Sequence, residues 1–300
     1  QGRSINMHST FRAMQSGASS VCGTCQDMGA ENGWSVWQAE AGANVETQGL
    51  SIAVQPAPTA VRFNITSGPG IDRLTPGVNP GDPPITLVAP PGFGSSSIQL
   101  GQIEADGIVG GCNPTAQQLR AGCAERLTYC FTVGLLDTNF IYAYAFVMEN
   151  PGDSTHSLLD MPYVEFMMLD VNGDTIDCAM QRYIASDSFP GQYRCNDRRL
   201  GPVNGGGGGG QAFRDTAVYK PWTVEGVNLS NYIGQTLTVV ITNADCQLGG
   251  HFAHSYWDFA CGSTAAVVKP SCYTNAPDTL VAPAPPDPST VYTYEWYKNN

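Results

Sequence analysis

The segment Gly249–Cys261, GGHFAHSYWDFAC, decides how this chain reads, and it has a counterpart near the other end in Glu31–Trp37, ENGWSVW. Together they read as the two edges of one sandwich, since the first and last strands of a jelly roll meet in space. An acidic residue on each, Glu31 and Asp258, then converges on a shared cation despite the long stretch of chain between them.

Composition points the same way. The 300 residues include 34 Gly and 21 Pro, which interrupt helical periodicity, and only 13% are charged against 42% hydrophobic. Many short strands joined by turns fit that balance, and an undivided all-β sandwich of about 200 to 250 residues is ordinary. A net charge of −12 repels a phosphate backbone, so nucleic acid is not an expected partner. No run approaches the roughly 20 apolar residues that a membrane-spanning helix needs, so no membrane insertion is expected. A leading Gln1 is what signal cleavage often leaves.

Ten cysteines without a doubled CxxC pattern argue for an oxidising compartment and structural bridges. The one CxxC, Cys22 to Cys25, precedes a β-type run rather than a βαβ unit, which disfavours a redox role. Spacing suggests Cys246 with Cys261, Cys178 with Cys195, and Cys112 with Cys123, each closing a short loop worth roughly 3 kcal/mol. Sequence leaves other connectivities open.

Residues 1–20 are polar and aperiodic and read as an irregular arm. Strand patterning starts at Trp34–Ala39 and returns at Gly49–Val54, Val61–Thr66 and Ser97–Gly101. Between the last two lies the Pro/Gly-rich span Gly68–Gly94, which cannot hold a central strand because proline lacks the ladder donor; it reads as a long surface loop. Arg126–Val133, Ile141–Glu149 and Tyr163–Asp170 carry the strongest strand signals. Asp170–Ile176, DVNGDTI, resembles the start of a calcium loop but lacks its twelfth-position Glu and flanking helices, whereas Asn172-Gly173 suits a tight hairpin. Gly205–Gly210 has neither the Lys-Ser/Thr nor the following helix of a phosphate cradle, and reads as a loop tip. Tyr219–Val224 and Leu237–Thr242 resume the strands. From Lys269 to Pro288 Pro and Ala rise, and Val291–Lys298, VYTYEWYK, alternates again, as an immunoglobulin-like sandwich opens. The expected fold is all-β: a jelly-roll sandwich over 21–263, then a linker and the first strands of an Ig-like or PKD-like domain over 264–300, as at the front of a longer modular protein.

No G-x-S-x-G, H-E-x-x-H or clustered-carboxylate segment occurs, so no hydrolase chemistry is expected. Of the histidines, His251 and His254 fall on opposite faces of a strand, which disfavours joint ligation; His251 reads as bonding the backbone near Gly249-Gly250. Aromatic faces are the other resource of such a fold, because sugar rings stack on them. Tyr219, Trp222, Tyr256 and Trp257 are the candidates, with one of the neighbouring pair Tyr256 and Trp257 in the core by alternation.

GAENGWSVW, LVAPPGFGSSSIQLG, AERLTYCFTV, YAYAFVMENP, YKPWTVEGVNLSNYIGQTLTVVITNADC and GGHFAHSYWDFAC, in that order over about residues 21–262, resemble the amino-terminal module of large Bacteroidota surface proteins, type IX secretion cargo that includes gliding-motility adhesins. The chain departs from that pattern at Gly205–Gly210 and at the Cys112–Cys123 insertion. The resemblance implies a carbohydrate-binding-module-like jelly roll followed by Ig-like or PKD-like repeats. It further implies a structural Ca²⁺ at Glu31 and Asp258, secretion to the cell surface, and partnership with outer-membrane secretion and anchoring machinery through the rest of the protein. O-glycosylation is implied at Ser154, Thr175, Thr216 and Thr279. The functional expectation is a non-catalytic adhesin module that binds a glycan or surface polymer. A carbohydrate-binding module of a polysaccharide-degrading enzyme, or a structural cap or filament component, are the alternatives.

Overall fold

A computed structural model describes residues 22–45, 49–54, 62–101, 121–151, 156–185, 188–195, 216–248, 251–262, 267–269 and 279–281. Among these, every regular element longer than a single 3-10 turn is a strand. The strands are β1 Gln38–Val45, β2 Gly49–Val54, β3 Phe63–Ser67, β4 Ser96–Gly101, β5 Ala121–Thr132, β6 Asn139–Asn150, β7 Tyr163–Leu169, β8 Thr175–Ile184, β9 Tyr193–Arg194, β10 Thr216–Asn228, β11 Thr236–Ala244, β12 Ala253–Gly262, β13 Val267–Lys269 and β14 Thr279–Val281.

Two six-stranded sheets run β2-β1-β5-β11-β7-β8 and β3-β4-β12-β6-β10-β9, and β13-β14 form a separate two-stranded sheet with β13 against β10. Within them β4-β12-β6-β10 faces β5-β11-β7-β8, and the chain changes sheet from β4 to β5, β5 to β6, β6 to β7, β8 to β9, β10 to β11 and β11 to β12. That is the strand order of a jelly roll. The β1-β2 hairpin extends one sheet at β5, while β3 and β9 flank the other.

Alternation sorts the faces. On β6 the rings of Phe140, Tyr142, Tyr144 and Phe146 point between the sheets, with Tyr142 stacked on Phe166 of β7 at 4.1 Å between centroids. The other face of β6 carries Ala145 and Val147, and both are also fully buried, because a second apolar cluster lies outside the sheet. The span Gly68–Gly94 makes that cluster. It holds no central strand, as its prolines require, yet it is a covering layer rather than a free surface loop, with Leu74 and Ile85 lying over β6, β10 and β12.

The Asn172-Gly173 turn joins β7 to β8 as expected: Gly173 has φ +81°, and Asp170 Oδ1 accepts hydrogen bonds from the amides of Asn172 (2.8 Å) and Asp174 (2.9 Å). The opening is corrected. Trp34–Val36 is turn, β1 begins at Gln38, and Glu31 lies on a 3-10 turn, Ala30–Asn32, that Gly33 ends at φ +64°. Nor do the outer strands meet, since β1 pairs with β2 and β5 while β12 pairs with β4 and β6 in the opposite sheet. The turn form lets both indoles fold inward, Trp34 against Phe63 and Trp37 against Tyr129 and Phe259. The arm 1–20, Gly205–Gly210 and Val291–Lys298, with the expected Ig-like opening, lie outside the described residues.

Candidate functional site

Glu31 and Asp258 do come together, by a different route from the one expected. A disulfide between Cys25 and Cys261 pins the 3-10 segment that precedes β1 to the end of β12. Glu31 Oε1 then accepts from the amides of Ser95 (2.6 Å) and Ser96 (2.9 Å), which fastens the turn to the start of β4. Gly94 has φ +115°, and a β-carbon there would overlap the Glu31 carboxylate, so this approach requires glycine. Asp258 is fully buried; its Oδ1 accepts from the amides of Ala30 (3.3 Å) and Phe259 (2.8 Å), while Oδ2 has no hydrogen-bond partner among the described residues. Burial, with the Glu31 carboxylate adding, pushes Asp258 up to about 7. Glu31 Oε2 and the Phe259 carbonyl oxygen border the space beside Gly29. A buried acceptor without a donor, a second carboxylate and a backbone carbonyl are hard oxygen donors, the set that suits Ca²⁺ rather than a softer ion.

The outer face of the β4-β12-β6-β10 sheet holds a second polar centre. Asp72, in the covering layer, places Oδ2 2.7 Å from His254 Nε2 and 2.7 Å from the Tyr256 hydroxyl, and its Oδ1 accepts from the Leu74 amide at 2.8 Å. All three side chains are buried. Burial alone would raise the Asp72 carboxyl, but His254 and the three donors outweigh it and hold the group below its ordinary value. The network ties the covering layer to β12 and is closed to any substrate.

This layer settles the aromatic candidates. Tyr219 and Tyr256 are fully buried beneath it, and Tyr219 donates to the Pro83 carbonyl while accepting from the Gly77 amide. Trp257, on the opposite face of β12, lies in the core between the sheets. The expectation that one of Tyr256 and Trp257 is solvent-facing therefore fails: both faces of β12 are covered. Trp222 alone of the four stays half-buried. It sits where β10 shifts register between Lys220 and Thr223, its indole N–H donates to the Thr86 carbonyl at 2.8 Å, and its ring lies 6.3 Å from that of Tyr256. The ring is thus held by the covering layer at one edge.

No protein-family model and no curated protein matches the chain. Among solved structures, it aligns with one described as "Structural basis for the promiscuous specificity of the carbohydrate-binding modules from the beta-sandwich super family". The identity is 6% and the TM-score 0.27, over 80% of this chain and 64% of the other, so this chain spans less than two thirds of that neighbour's length.

Cysteine pairing departs from spacing. Besides Cys25–Cys261, Cys22 bonds Cys130. Cys246 is therefore not joined to Cys261, and Cys195, a buried thiol like Cys246, is not joined to Cys178. Cys123 is disulfide-bonded, while Cys112 and the side chain of Cys178 lie outside the described residues. The CxxC half-cystines thus staple the amino-terminal segment to two remote strands. Of the glycosylation candidates, Thr175 is exposed at the start of β8; Ser154 and the side chains of Thr216 and Thr279 lie outside the described residues.

Two further clusters follow no sequence motif. At the edge where β8 approaches β10, Glu225 accepts from Tyr142, Tyr144 and Gln181, and Tyr183 contacts both Tyr144 and Gln181. These bonds latch the two sheets together. At the other end burial raises both Glu125 and Asp245, and the Asp245 charge raises Glu125 further, with Arg62 Nε 3.6 Å from Glu125 Oε1. Such carboxylates lie far apart in sequence and follow no motif, so only the fold brings them together.

Proposed function

We propose that this jelly roll is a non-catalytic binding module of a secreted, surface-anchored adhesin of the gliding-motility type, that it recognises a glycan or surface polymer, and that Ca²⁺ at Glu31 and Asp258 stiffens it. The observation that carries the binding reading is Trp222. A half-buried indole whose N–H is already committed to Thr86 keeps its orientation before any ligand arrives, so little rotamer freedom is lost on stacking. Thr86, exposed beside that indole, adds a hydroxyl oxygen that can accept from a sugar hydroxyl. Ca²⁺ would be held by Glu31 and Asp258, with the Phe259 carbonyl oxygen bordering the same space, and would neutralise two facing carboxylates. In this chain Ser95 and Ser96 hold Glu31 in place, and Ala30 and Phe259 hold Asp258.

The test is calorimetric titration of the chain with a panel of soluble polysaccharides, alongside Trp222→Ala. Binding in the wild type and a loss of about tenfold in the variant is the expected result, since one aromatic contact contributes about 0.5–1.5 kcal/mol beyond its buried area. Equal binding by both forms would remove Trp222 from the site. Measurable turnover of any polysaccharide would overturn the non-catalytic reading, and intact surface attachment after deletion of 21–262 from the whole protein would overturn the adhesin.

A further inference from the structure

Three residues that no part of the reading above uses converge at one end of the sandwich. His156 lies in the connection from β6 to β7; Cys246 and His251 both lie in the connection from β11 to β12. One ligand atom from each, two imidazole nitrogens and the thiol sulfur, lies within 4.8 Å of the other two. The imidazoles pack edge to face at 4.9 Å between centroids, both half-buried, and Cys246 is fully buried. The surrounding backbone is already in place: the Cys246 amide donates to the His251 carbonyl (3.0 Å), the Gln247 amide to the Asp160 carbonyl (2.8 Å), and the Leu248 amide to Cys246 Sγ (3.3 Å).

We propose that His156, Cys246 and His251 bind a zinc-class divalent cation that clips the β6–β7 connection to the β11–β12 connection. Two imidazoles and a thiolate are the donor set of borderline-soft ions, in contrast to the all-oxygen set at Glu31 and Asp258. The Leu248 N–H aimed at sulfur favours the thiolate over the thiol, as a ligating cysteine requires. In a tetrahedral zinc site, ligand atoms stand roughly 3.3–3.8 Å apart, so side-chain movement of about 1 Å closes the cluster on an ion. Three protein ligands leave a fourth position for water or an outside donor. Binding releases the Cys246 proton to solvent and leaves both imidazoles neutral. The inference is independent of the glycan reading.

The experiment uses the 300-residue chain, stripped with a chelator and then titrated with Co²⁺ alone as a spectroscopic probe and with Zn²⁺ alone. One equivalent of Co²⁺ is expected to produce a thiolate-to-metal charge-transfer band that Zn²⁺ abolishes and excess Ca²⁺ does not. Cys246→Ser should abolish the band. Because Cys246 is buried and its variant risks misfolding, His156→Gln, at a half-buried loop position, provides the second arm and should weaken Co²⁺ binding at least about tenfold with the circular dichroism unchanged. In the wild type Zn²⁺ should also slow alkylation of Cys246, located by peptide mapping. Absence of the band in the wild type, a band that survives Cys246→Ser, or an affinity unchanged by His156→Gln would each overturn the proposal.

Discussion

Replacing Asp72 by Asn tests whether the covering layer is held by chemistry or merely rests on the sheet. The carboxylate receives Tyr256 and His254 at 2.7 Å on one oxygen and the Leu74 amide at 2.8 Å on the other, with every partner buried. Hydrogen bonds to an ionised group contribute about 1.5–3 kcal/mol each, and Asn can neither carry the charge nor accept from both side chains equally well. A loss of about 3–5 kcal/mol follows, or roughly 10 °C in Tm for a domain of this size. Urea unfolding monitored by tryptophan fluorescence measures it, and limited proteolysis should cut within 68–94 before the variant unfolds globally. The pH dependence has a definite sign. Asp72 is held below its ordinary value in the fold, so its contribution is complete above the unfolded value of about 3.9 and is lost as pH falls through the folded value. The difference between wild type and variant should therefore be larger above about pH 4 and shrink below it. A loss under about 1 kcal/mol at pH 7, or one that grows towards low pH, would refute the reasoning.

Calcium at about 10 mM should stabilise the wild type by about 1–3 kcal/mol if the site has the affinity typical of extracellular sites, and a chelator should reverse this; Glu31→Gln should remove the response in differential scanning calorimetry. Asp258→Asn should make the calcium-free chain more stable at pH 8, because a carboxyl raised to about 7 disfavours the fold increasingly as pH climbs from about 4 to 7. Gly94→Ala should cost about 1–3 kcal/mol and blunt the calcium response, since its β-carbon meets Glu31 and its φ is +115°. Peptide mapping of the non-reduced chain should recover Cys22–Cys130 and Cys25–Cys261, and Cys25→Ala should lower stability by about 2–5 kcal/mol; a Cys246–Cys261 peptide would contradict the fold described above.

Local pattern determined several of the strands, though not the start of β1 or β8. The alternation of β6 and β7, the limits of β2, the Asn172-Gly173 turn and the absence of a central strand from Gly68–Gly94 all follow from the residues themselves, because side-chain direction and proline chemistry act over a few positions. The approach of Glu31 to Asp258 was legible, although not the 3-10 turn that delivers Glu31. What lies over a strand is another matter. Alternation assigns Tyr256 and Trp257 to opposite faces, yet whether each face meets water depends on Leu74, Ile85 and Asp72, far away in the chain, and the fold covers both. The cysteines make the same point: short loops favour close partners in the unfolded chain, but the folded chain joins Cys25 to Cys261 across 236 positions because the fold lays the 3-10 segment against the end of β12. Sequence records which residues share a face, and only the packing of remote segments decides what each face touches.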